Sequence, residues 1–212
     1  MLKSLVVKPP HSYYDLTTNG FRKRPSIAAI CTESVKQFGV GKSPQRAQTG
    51  AKRGKKEQLR PMIKILFVCH GNICRSPMAE FVMKDMVRKA GVEDQFEIAS
   101  AAVSTEELGN PVYPPARRVL NEHGISCKGH AAHQMTRQEY EYYDYVILMD
   151  EMNRRWCQRI IGEDDQNKVS LLLEHAGIDR DVADPWYTGN FEQTWDDVNV
   201  GCRALLEELQ NA

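Results

Sequence analysis

Short runs of consecutive apolar residues alternate, from residue 63 onward, with longer stretches whose apolar residues recur every three or four positions. The apolar runs predict four β-strands, which fall at residues 63–68, 96–99, 145–149 and 168–172. The periodic stretches predict helices, at residues 76–90, 114–122, 136–142 and 191–209, with another after residue 150. Strands that are apolar throughout and alternate with helices are typical of a parallel sheet covered on both faces. Ligands of such sheets bind beyond the carboxyl ends of the strands.

Local signals mark several helix ends. Thr136, followed by Glu139 three residues later, predicts a capping box, and Asp150 predicts the N-cap of the next helix. The pair His123-Gly124 predicts the end of the helix before it. The apolar residues of the closing helix are predicted to share one side, namely Val198, Cys202, Leu205 and Leu206.

Residues 1–61 differ in character from the rest of the chain. They hold 13 Lys and Arg against three acids, a net charge of +10, whereas residues 62–212 carry a net charge of −10. The first segment has scattered Pro and Gly and no sustained apolar period. Such a segment buries too little apolar surface to offset its chain entropy, so we expect it to be disordered. The sequence therefore predicts a basic extension over residues 1–61 and a folded domain over residues 62–212.

Three interpretations of the basic extension stay open. Met62 directly precedes the first predicted strand, so the extension could be an artefact of where the chain was taken to begin. It could instead be a tail that binds nucleic acid or acidic partners without specificity, and we expect nucleic-acid binding nowhere else in the chain. An organelle-targeting peptide fits the shortage of acids, although no amphipathic helix rich in Arg and Ser is evident near Met1.

Composition excludes several classes of protein. Apolar residues make up 42 % of the chain, close to the globular average, and no apolar run approaches the roughly 18 residues that span a bilayer. We therefore expect no association with membranes and, since no secretory signal is evident, a cytoplasmic protein. Six cysteines spread singly along the chain are typical of free thiols in a reducing compartment rather than of a disulfide framework.

The segment that follows the first strand, residues 69–76, has the composition of an anion-binding loop. Gly71 allows a tight turn in which successive N–H groups point inward, and the helix that begins at Ser76 adds the positive end of its dipole. Arg75 offers a planar fork for two phosphate oxygens. Cys69 stands at the entrance, where the positive field favours the thiolate, a nucleophile for in-line attack on a bound phosphate.

A second segment, Asp184-Pro185-Trp186-Tyr187, supplies a candidate acid. Cleavage of an aryl phosphate needs a proton for the departing phenolate, and a carboxyl group on a loop above the anion site would supply it. Pro185 restricts the backbone of Asp184 to extended conformations and so fixes how the carboxyl group is presented. The side chains of Trp186 and Tyr187 could wall a slot for a flat phenyl ring.

Each segment also has a simpler interpretation. A buried cysteine at a strand end followed by an arginine at a helix start occurs without any function, and Asp-Pro-aromatic is more often a solvated turn. The position of the first segment, between a strand and a helix with Gly71 inside it, favours the anion site. The interpretation of Asp184 as a proton donor depends on the presence of that anion site.

Together these residues make residues 62–212 resemble the low-molecular-weight protein-tyrosine-phosphatase family. The resemblance extends from the nucleophile loop through several separated points in the expected order, namely Ser100-Ala101-Ala102, Gly124-Ile125, Asp144-Tyr145, Met149-Asp150-Glu151 and residues 184–189. It implies a three-layer, doubly wound α/β sheet of four parallel strands in the order 2-1-3-4, with helices on both faces. It also implies an enzyme without metal or cofactor.

The resemblance further implies the roles of the site residues. Cys69 takes the phosphoryl group while Asp184 gives a proton, and Asp184 then activates the water that hydrolyses the thiophosphate. Arg75 and the loop amides stabilise the equatorial oxygens. The residues implied to contact the substrate are His70, Gly71, Asn72, Ile73, Cys74, Ser76, Trp186 and Tyr187. A supporting network of Asn72, Ser76, Ser100 and His130 holds the loop, and Cys69 with Cys74 resembles a reversible oxidation device of the family.

Departures within the family bear on the substrate. Members that act on phosphoarginine have Thr where this chain has Ile73, so we expect a phosphotyrosine protein or a small aryl phosphate ester as substrate. The loop 103–109 carries acids near Glu106, where eukaryotic members usually have another specificity residue, and His133 stands where Arg is frequent. Acids at the rim should disfavour highly acidic phosphopeptides. The sequence gives no prediction of oligomeric state.

Alternative functions remain at this point. A protein-arginine phosphatase and a thioredoxin-coupled arsenate reductase share the fold, but the reductase needs a resolving pair of cysteines, and Cys127, Cys157 and Cys202 stand singly. A metal site is suggested by the spacing of Cys127, His130 and His133, although no fourth ligand is apparent. A phosphate-binding protein without catalysis is the last alternative.

Overall fold

The computed structural model describes residues 61–211 of the chain. Four strands form one sheet, and every pair of neighbouring strands is parallel in the order β2-β1-β3-β4. The strands are β1 (Ile63–Cys69), β2 (Phe96–Ala102), β3 (Tyr145–Leu148) and β4 (Val169–Leu171). The predicted class and the strand order 2-1-3-4 are confirmed. The prediction of a disordered basic extension lies, apart from Pro61, outside the described residues.

Six α-helices connect and follow these strands in the described part of the chain. They are α1 (Arg75–Ala90), α2 (Pro114–Glu122), α3 (Arg137–Tyr142), α4 (Glu151–Ile161), α5 (Pro185–Thr188) and α6 (Phe191–Asn211). Short 3-10 turns cover Glu93–Gln95 and Leu172–Ala176. Within residues 61–211, no helix combines the length and the apolar character needed to cross a membrane.

The predicted helix ends are largely confirmed. Thr136 and Glu139 form the reciprocal hydrogen bonds of a capping box at α3, and the carboxylate of Asp150 accepts the N–H of Asn153 at the start of α4. Several element boundaries differ from the prediction by one to three residues, and one helix was missed. The strand β2 continues to residue 102, α1 begins one residue early, residue 172 belongs to a 3-10 turn, and α5 was not predicted.

The core consists of two layers that share the sheet. Alternate residues of a strand point to opposite faces, so Ile65 and Phe67 of β1 join the cluster formed with α1, α2 and α6. Leu66 and Val68 join a second cluster, which includes Tyr140 of α3 and residues of α4. All four β1 side chains are fully buried, and each contributes roughly 1.5–3 kcal/mol relative to an exposed position. Burial on both faces explains why consecutive residues in the centre of β1 are all apolar.

The topology brings two loops together at the carboxyl edge of the sheet. The chain leaves β1 toward β2 on one side and later returns to β3 on the other side of β1. The crevice at such a reversal is where ligands of doubly wound sheets bind. The loop after β1 begins at Cys69, and the loop after β3 carries Asp150 into α4.

Candidate active site

The loop of residues 69–76 connects β1 to α1 in a tight turn. Its left-handed residue is Asn72, with φ of 56°, and not the glycine. The tight turn that the sequence predicted around Gly71 is present, but its left-handed position falls one residue later. A Cβ atom at residue 71 would lie 3.1 Å from Cγ of Glu107, so the loop approaches that side chain closely. Asparagine is among the few residues with a side chain that enter the left-handed region readily.

The side chain of Asn72 ties this loop to the neighbouring strand. Its Nδ2 donates to Ser76 Oγ at 3.0 Å and to Ser100 Oγ at 2.8 Å, and its Oδ1 accepts the backbone N–H of His133 at 3.3 Å. The backbone oxygen of Asn72 lies 2.8 Å from Nε2 of His130. Because a carbonyl oxygen only accepts, His130 must carry a proton on Nε2. The predicted supporting network is therefore present, beneath the loop.

A buried carboxylate that the sequence did not predict completes the network. Glu80 of α1 is 7 % exposed. Its Oε2 accepts the hydroxyl of Ser100 at 2.6 Å, and its Oε1 accepts Lys84 at 2.5 Å. His130 Nδ1 lies 3.9 Å from the same carboxylate. These partners offset the cost of burying its charge, and they orient the Ser100 hydroxyl as a donor to Glu80 and an acceptor from the amide of Asn72.

Cys69 lies at the end of β1 with its side chain almost fully buried. The hydroxyl of Ser76 lies 3.1 Å from its Sγ and 3.2 Å from the carbonyl oxygen of Ala101. A hydroxyl has one proton to donate, and Asn72 Nδ2 occupies an acceptor site of the same oxygen. A hydrogen bond from Ser76 to a thiolate would stabilise the charged form of Cys69.

Arg75 lies where the loop joins α1 and is 2 % exposed. Its Nη1 donates to Asp150 Oδ2 at 2.5 Å and to the carbonyl oxygen of Val182 at 3.3 Å, and its Nη2 donates to Asp184 Oδ2 at 2.5 Å. Burial lowers the pKa of Arg75, but the negative charges of Cys69, Asp184 and Asp150 outweigh it and raise that pKa. These contacts engage three of the five N–H groups of the guanidinium. The other two are available for phosphate oxygens.

The candidate acid, Asp184, is positioned by the short helix α5. It is the N-cap of this helix, and its Oδ1 accepts the N–H of Trp186 at 3.0 Å. Its Oδ2 contacts Arg75, so both carboxylate oxygens have fixed directions. Pro185 occupies the first helical position, where its missing N–H costs nothing. The predicted role of Pro185 in presenting the carboxyl group agrees with this geometry.

One cleft joins the two segments. It has a volume of about 670 Å³ and is lined by Cys69, His70, Gly71, Ile73, Cys74, Arg75, Asp184, Trp186 and Tyr187 among the predicted residues. The side chains of Asn72, Ser76, Ser100 and His130 lie under the loop and do not line the cleft. The cleft wall also includes Asp150, whose long-range contact with Arg75 has no local signal in the sequence.

Aromatic side chains form one wall of the cleft. Trp186 is 54 % exposed and Tyr187 is 76 % exposed, so both rings are accessible at the cleft that they line. The ring of Tyr113, which the sequence did not single out, packs against Trp186 with centroids 5.3 Å apart and against Phe191 at 5.9 Å. Tyr113 therefore supports the Trp186 ring from the side away from solvent.

The remaining cysteines do not form a second thiol site. Cys127, Cys157 and Cys202 are buried at separate places, and all five described cysteines are free. Cys157 contacts Met135, with its Sγ 3.9 Å from the methionine sulfur. Burial, with the charge of Cys69 as the next cause, raises the pKa of Cys74, so Cys74 stays a protonated thiol near neutral pH.

The possible metal ligands have other partners. His130 contacts the backbone oxygen of Asn72, and His133 Nε2 lies 2.8 Å from Glu139 Oε1. Over residues 61–211, no group of three or more His, Cys, Asp and Glu side chains is arranged to hold a metal ion. The geometry gives the spacing of Cys127, His130 and His133 no support as a metal site.

Comparisons with known proteins agree with this geometry. A family model described as "Low molecular weight phosphotyrosine protein phosphatase" matches residues 64–212. The chain is 38 % identical over 151 residues to the low molecular weight protein-tyrosine-phosphatase YfkJ of Bacillus subtilis, a match that covers 70 % of this chain and 97 % of the relative. The low molecular weight phosphotyrosine protein phosphatase of Gallus gallus is 37 % identical over 149 residues, covering 68 % and 94 %.

Solved structures extend the comparison. The crystal structure of YfkJ from Bacillus subtilis superimposes with a TM-score of 0.70 at 37 % identity and covers 72 % of this chain and 98 % of that one. A Drosophila arginine phosphatase is also similar, with a TM-score of 0.63 at 26 % identity and coverages of 69 % and 98 %. Sequence, fold and site geometry lead to the same assignment. The chain belongs to the low molecular weight phosphotyrosine protein phosphatase family.

Proposed function

We propose that the chain is a protein-tyrosine-phosphatase in which Cys69 is the nucleophile, Asp184 the general acid and Arg75 the phosphate-binding cation. Its substrates are phosphotyrosine and aryl phosphate monoesters, and a cysteinyl-phosphate is the intermediate. The observation that carries the assignment of residues is their convergence: Cys69, Arg75 and Asp184 line one cleft at the carboxyl edge of the sheet. Membership of the family supports the reaction class.

In the first step, the Cys69 thiolate attacks phosphorus and a sulfur–phosphorus bond forms as the phosphorus–oxygen bond to the phenol breaks. Asp184 donates its proton to the departing oxygen, which leaves as a neutral phenol. The free N–H groups of Arg75 and the amides at the start of α1 face the equatorial oxygens and stabilise their charge. The Ser76 hydroxyl beside Sγ favours the thiolate before attack.

In the second step, the carboxylate of Asp184 removes a proton from a water molecule that attacks phosphorus. The sulfur–phosphorus bond breaks, inorganic phosphate is released, and Cys69 returns as a thiolate. Asp184 is then protonated again and ready for the next cycle. Two fixed carboxylate oxygens, one held by the N–H of Trp186 and one by Arg75, keep the group in place for both proton transfers.

A matched pair of variants tests the nucleophile. Cys69→Ser should abolish hydrolysis of an aryl phosphate such as p-nitrophenyl phosphate, because a serine hydroxyl is not ionised at this position. Cys127→Ser, which alters a buried thiol outside the cleft, should keep activity close to that of the wild type. Full turnover by Cys69→Ser would refute the mechanism.

The general acid is tested by leaving groups of different basicity. Asp184→Asn keeps the side-chain shape but donates no acidic proton, so hydrolysis of phenyl phosphate should slow by about 10²-fold or more. A dinitrophenyl phosphate, whose leaving group needs no proton, should lose far less. An equal loss for both substrates would show that Asp184 acts in some way other than proton donation.

Phosphotyrosine is favoured over phosphoarginine by one residue of the loop. Ile73 lines the cleft and is 8 % exposed, so its side chain is packed in place. Its bulk narrows the space beside the phosphate, which suits a flat ring. Comparison of phosphotyrosine with phosphoarginine in the wild type tests this preference, and comparable rates would refute it. The arginine phosphatase of Drosophila makes phosphoarginine the alternative substrate to test.

We also propose that Cys74 protects the nucleophile from oxidation in a reducing compartment, the cytoplasm. Peroxide would oxidise Cys69 to the sulfenic acid, and the Cys74 thiol in the same loop would displace water to form a disulfide that thiols reduce again. Peroxide-treated wild type should therefore recover activity with dithiothreitol. Cys74→Ser should recover much less after the same exposure, and equal recovery would exclude the role of Cys74.

A further inference from the structure

The charges that line the cleft are unequally divided between its floor and its walls. The lining acids are Glu106, Glu107, Asp150, Asp181 and Asp184, whereas Arg75 is the one Lys or Arg side chain among the lining residues of the described chain. Asp150 and Asp184 are both bound to Arg75. Three carboxylates of the walls are therefore not compensated by Arg75, and they stand where residues on either side of a phosphotyrosine would lie.

Glu106 and Glu107 form one acidic wall against the phosphate loop. The side chain of Glu106 is 71 % exposed, and its Oε2 lies 3.0 Å from Nε2 of His70. Glu107 accepts the side-chain amide of Asn110 at 2.7 Å and lies over Gly71. Arg159 stacks on Trp156, whose ring meets His70 edge-on, but neither residue lines the cleft. The wall thus offers carboxylate oxygens to which no Lys or Arg of the described chain is bound.

The opposite wall contains an acceptor without a partner. Asn153 is 1 % exposed and lines the cleft, yet its Oδ1 has no hydrogen bond. Asp181 lies beside it, and one of its oxygens accepts the N–H of Glu151 at 3.2 Å. Burial, with the charge of Asp150 as the next cause, raises the pKa of Asp181. Buried acceptors in proteins are almost always satisfied, and this one has no partner within the described chain.

We infer that the cleft selects phosphotyrosines that have Lys or Arg close by in the substrate protein. This inference rests on the proposed function, because it concerns the same cleft. A phosphate dianion is repelled by the wall acids as it enters, and cationic neighbours offset that repulsion while pairing with Glu106, Glu107 and Asp181. An arginine fork in the cleft would also offer N–H donors to the wall that contains Asn153. The net charge of −10 over residues 62–212 acts in the same direction.

Two phosphotyrosine peptides that differ only in their flanks test the inference, with p-nitrophenyl phosphate as a substrate without flanks. One peptide carries Lys and Arg beside the phosphotyrosine, and the other carries Glu. In the wild type we expect kcat/KM to be about tenfold higher for the basic peptide at low ionic strength, given the size of exposed charge pairs. The ratio should approach one in about 0.5 M NaCl, because salt screens exposed charges.

Variants then locate the preference. Glu106→Gln with Glu107→Gln keeps the side-chain shapes, and it should reduce the ratio of the two kcat/KM values about threefold or more. Any general loss of activity cancels in that ratio. Asn153→Ala should lower kcat/KM for the basic peptide relative to the aryl phosphate. The ratio of kcat/KM for the acidic peptide to kcat/KM for the aryl phosphate should stay at its wild-type value. The control is Glu163→Gln, an exposed acid before β4 and so at the opposite edge of the sheet, which should keep the wild-type ratio.

The outcomes separate this inference from the function on which it rests. Rapid hydrolysis of both peptides with a ratio near one would overturn the inference and leave the phosphatase intact. A tenfold ratio that survives in the Glu106→Gln and Glu107→Gln variant would also overturn it, because the preference would then arise elsewhere. Failure to hydrolyse any of the three substrates would refute the proposed function itself. A ratio that falls in that variant and not in Glu163→Gln supports the inference.

Discussion

At the scale of single residues, the shape of the nucleophile loop depends on Asn72 in two separate ways. Its backbone adopts φ of 56°, which costs roughly 1 kcal/mol for most residues with a side chain. Its buried amide donates to Ser76 and Ser100 and so fixes the direction of the hydroxyl that lies beside Cys69. Substitution can separate the two, because glycine adopts the left-handed conformation readily but has no side-chain amide to form the hydrogen bonds.

We predict that Asn72→Gly and Asn72→Ala both lose most of their phosphatase activity, since neither can orient Ser76. Asn72→Ala should in addition be about 1 kcal/mol less stable than Asn72→Gly, because alanine is strained in the left-handed region. Urea unfolding of both variants measures the difference in stability, and hydrolysis of an aryl phosphate measures activity. If the glycine variant kept full activity, the amide network would have no role in catalysis.

The sequence predicted the residues of the site whose signals are local. Cys69 and Arg75 fall in one loop between a strand and a helix, and Asp184 precedes a proline, so each could be found from its neighbours. Asp150 and Glu80 could not be assigned to the site. Asp150 lies 75 residues from the arginine that it binds, and Glu80 lies 20 residues from Ser100. Such contacts form only when the chain folds, and they give no recognisable motif in the sequence.

At the scale of elements, the closing helix α6 packs closely on the segment that follows β4. Gly201 marks the closest point, because a Cβ atom there would lie 2.5 Å from Cγ of Leu172 and 3.0 Å from its backbone oxygen. Leu172 is fully buried and belongs to the same core cluster as Val198 and Cys202 of α6. The helix therefore needs a glycine here in spite of the lower helix propensity of that residue.

We predict that Gly201→Ala destabilises the fold by about 1–2 kcal/mol. Overpacking costs about 1–3 kcal/mol, and the gain in helix propensity of up to about 1 kcal/mol offsets part of it. The change in the free energy of unfolding should largely disappear when Leu172→Ala removes the colliding side-chain atoms. A double-mutant cycle in urea measures that coupling. A coupling energy near zero would show that the new Cβ atom does not collide with the side chain of Leu172 but with other atoms, for example its backbone oxygen.

Elements were predicted where the pattern of apolar residues is strong. The four strands follow from their apolar runs and the main helices from apolar residues that recur every three or four positions, whereas the strand order came from the family resemblance. The short helix α5, Pro185–Thr188, was missed because four residues are too few to show a period. The end of β4 was also misplaced, since Leu172 is as apolar in its 3-10 turn as in a strand.

At the scale of the whole molecule, the buried thiols link stability to pH. Burial, with the charge of Asp164 as the next cause, raises the pKa of Cys157 to about 11, and burial also raises the pKa of Cys202. Both residues are fully buried. In the unfolded chain a cysteine ionises near pH 8.5, so above this pH the unfolded state loses protons that the folded state keeps. The stability that these thiols contribute is present below about pH 8.5 and is lost as the pH rises toward 11.

We predict that Cys157→Ala reduces this alkaline loss. The wild type should lose about 2.5 kcal/mol between pH 7.5 and pH 10.5 on account of Cys157, at about 1.4 kcal/mol for each unit of pKa difference. The alanine variant is less stable at both pH values because of the cavity, but that cost cancels when the two pH values are subtracted. Urea unfolding with a reductant present measures the difference.

Val198→Ala is the control, since it also creates a buried cavity but removes no titrating group. Its loss between the two pH values should equal that of the wild type, and an equal loss in Cys157→Ala would show that this thiol ionises as readily in the folded protein as in the unfolded chain.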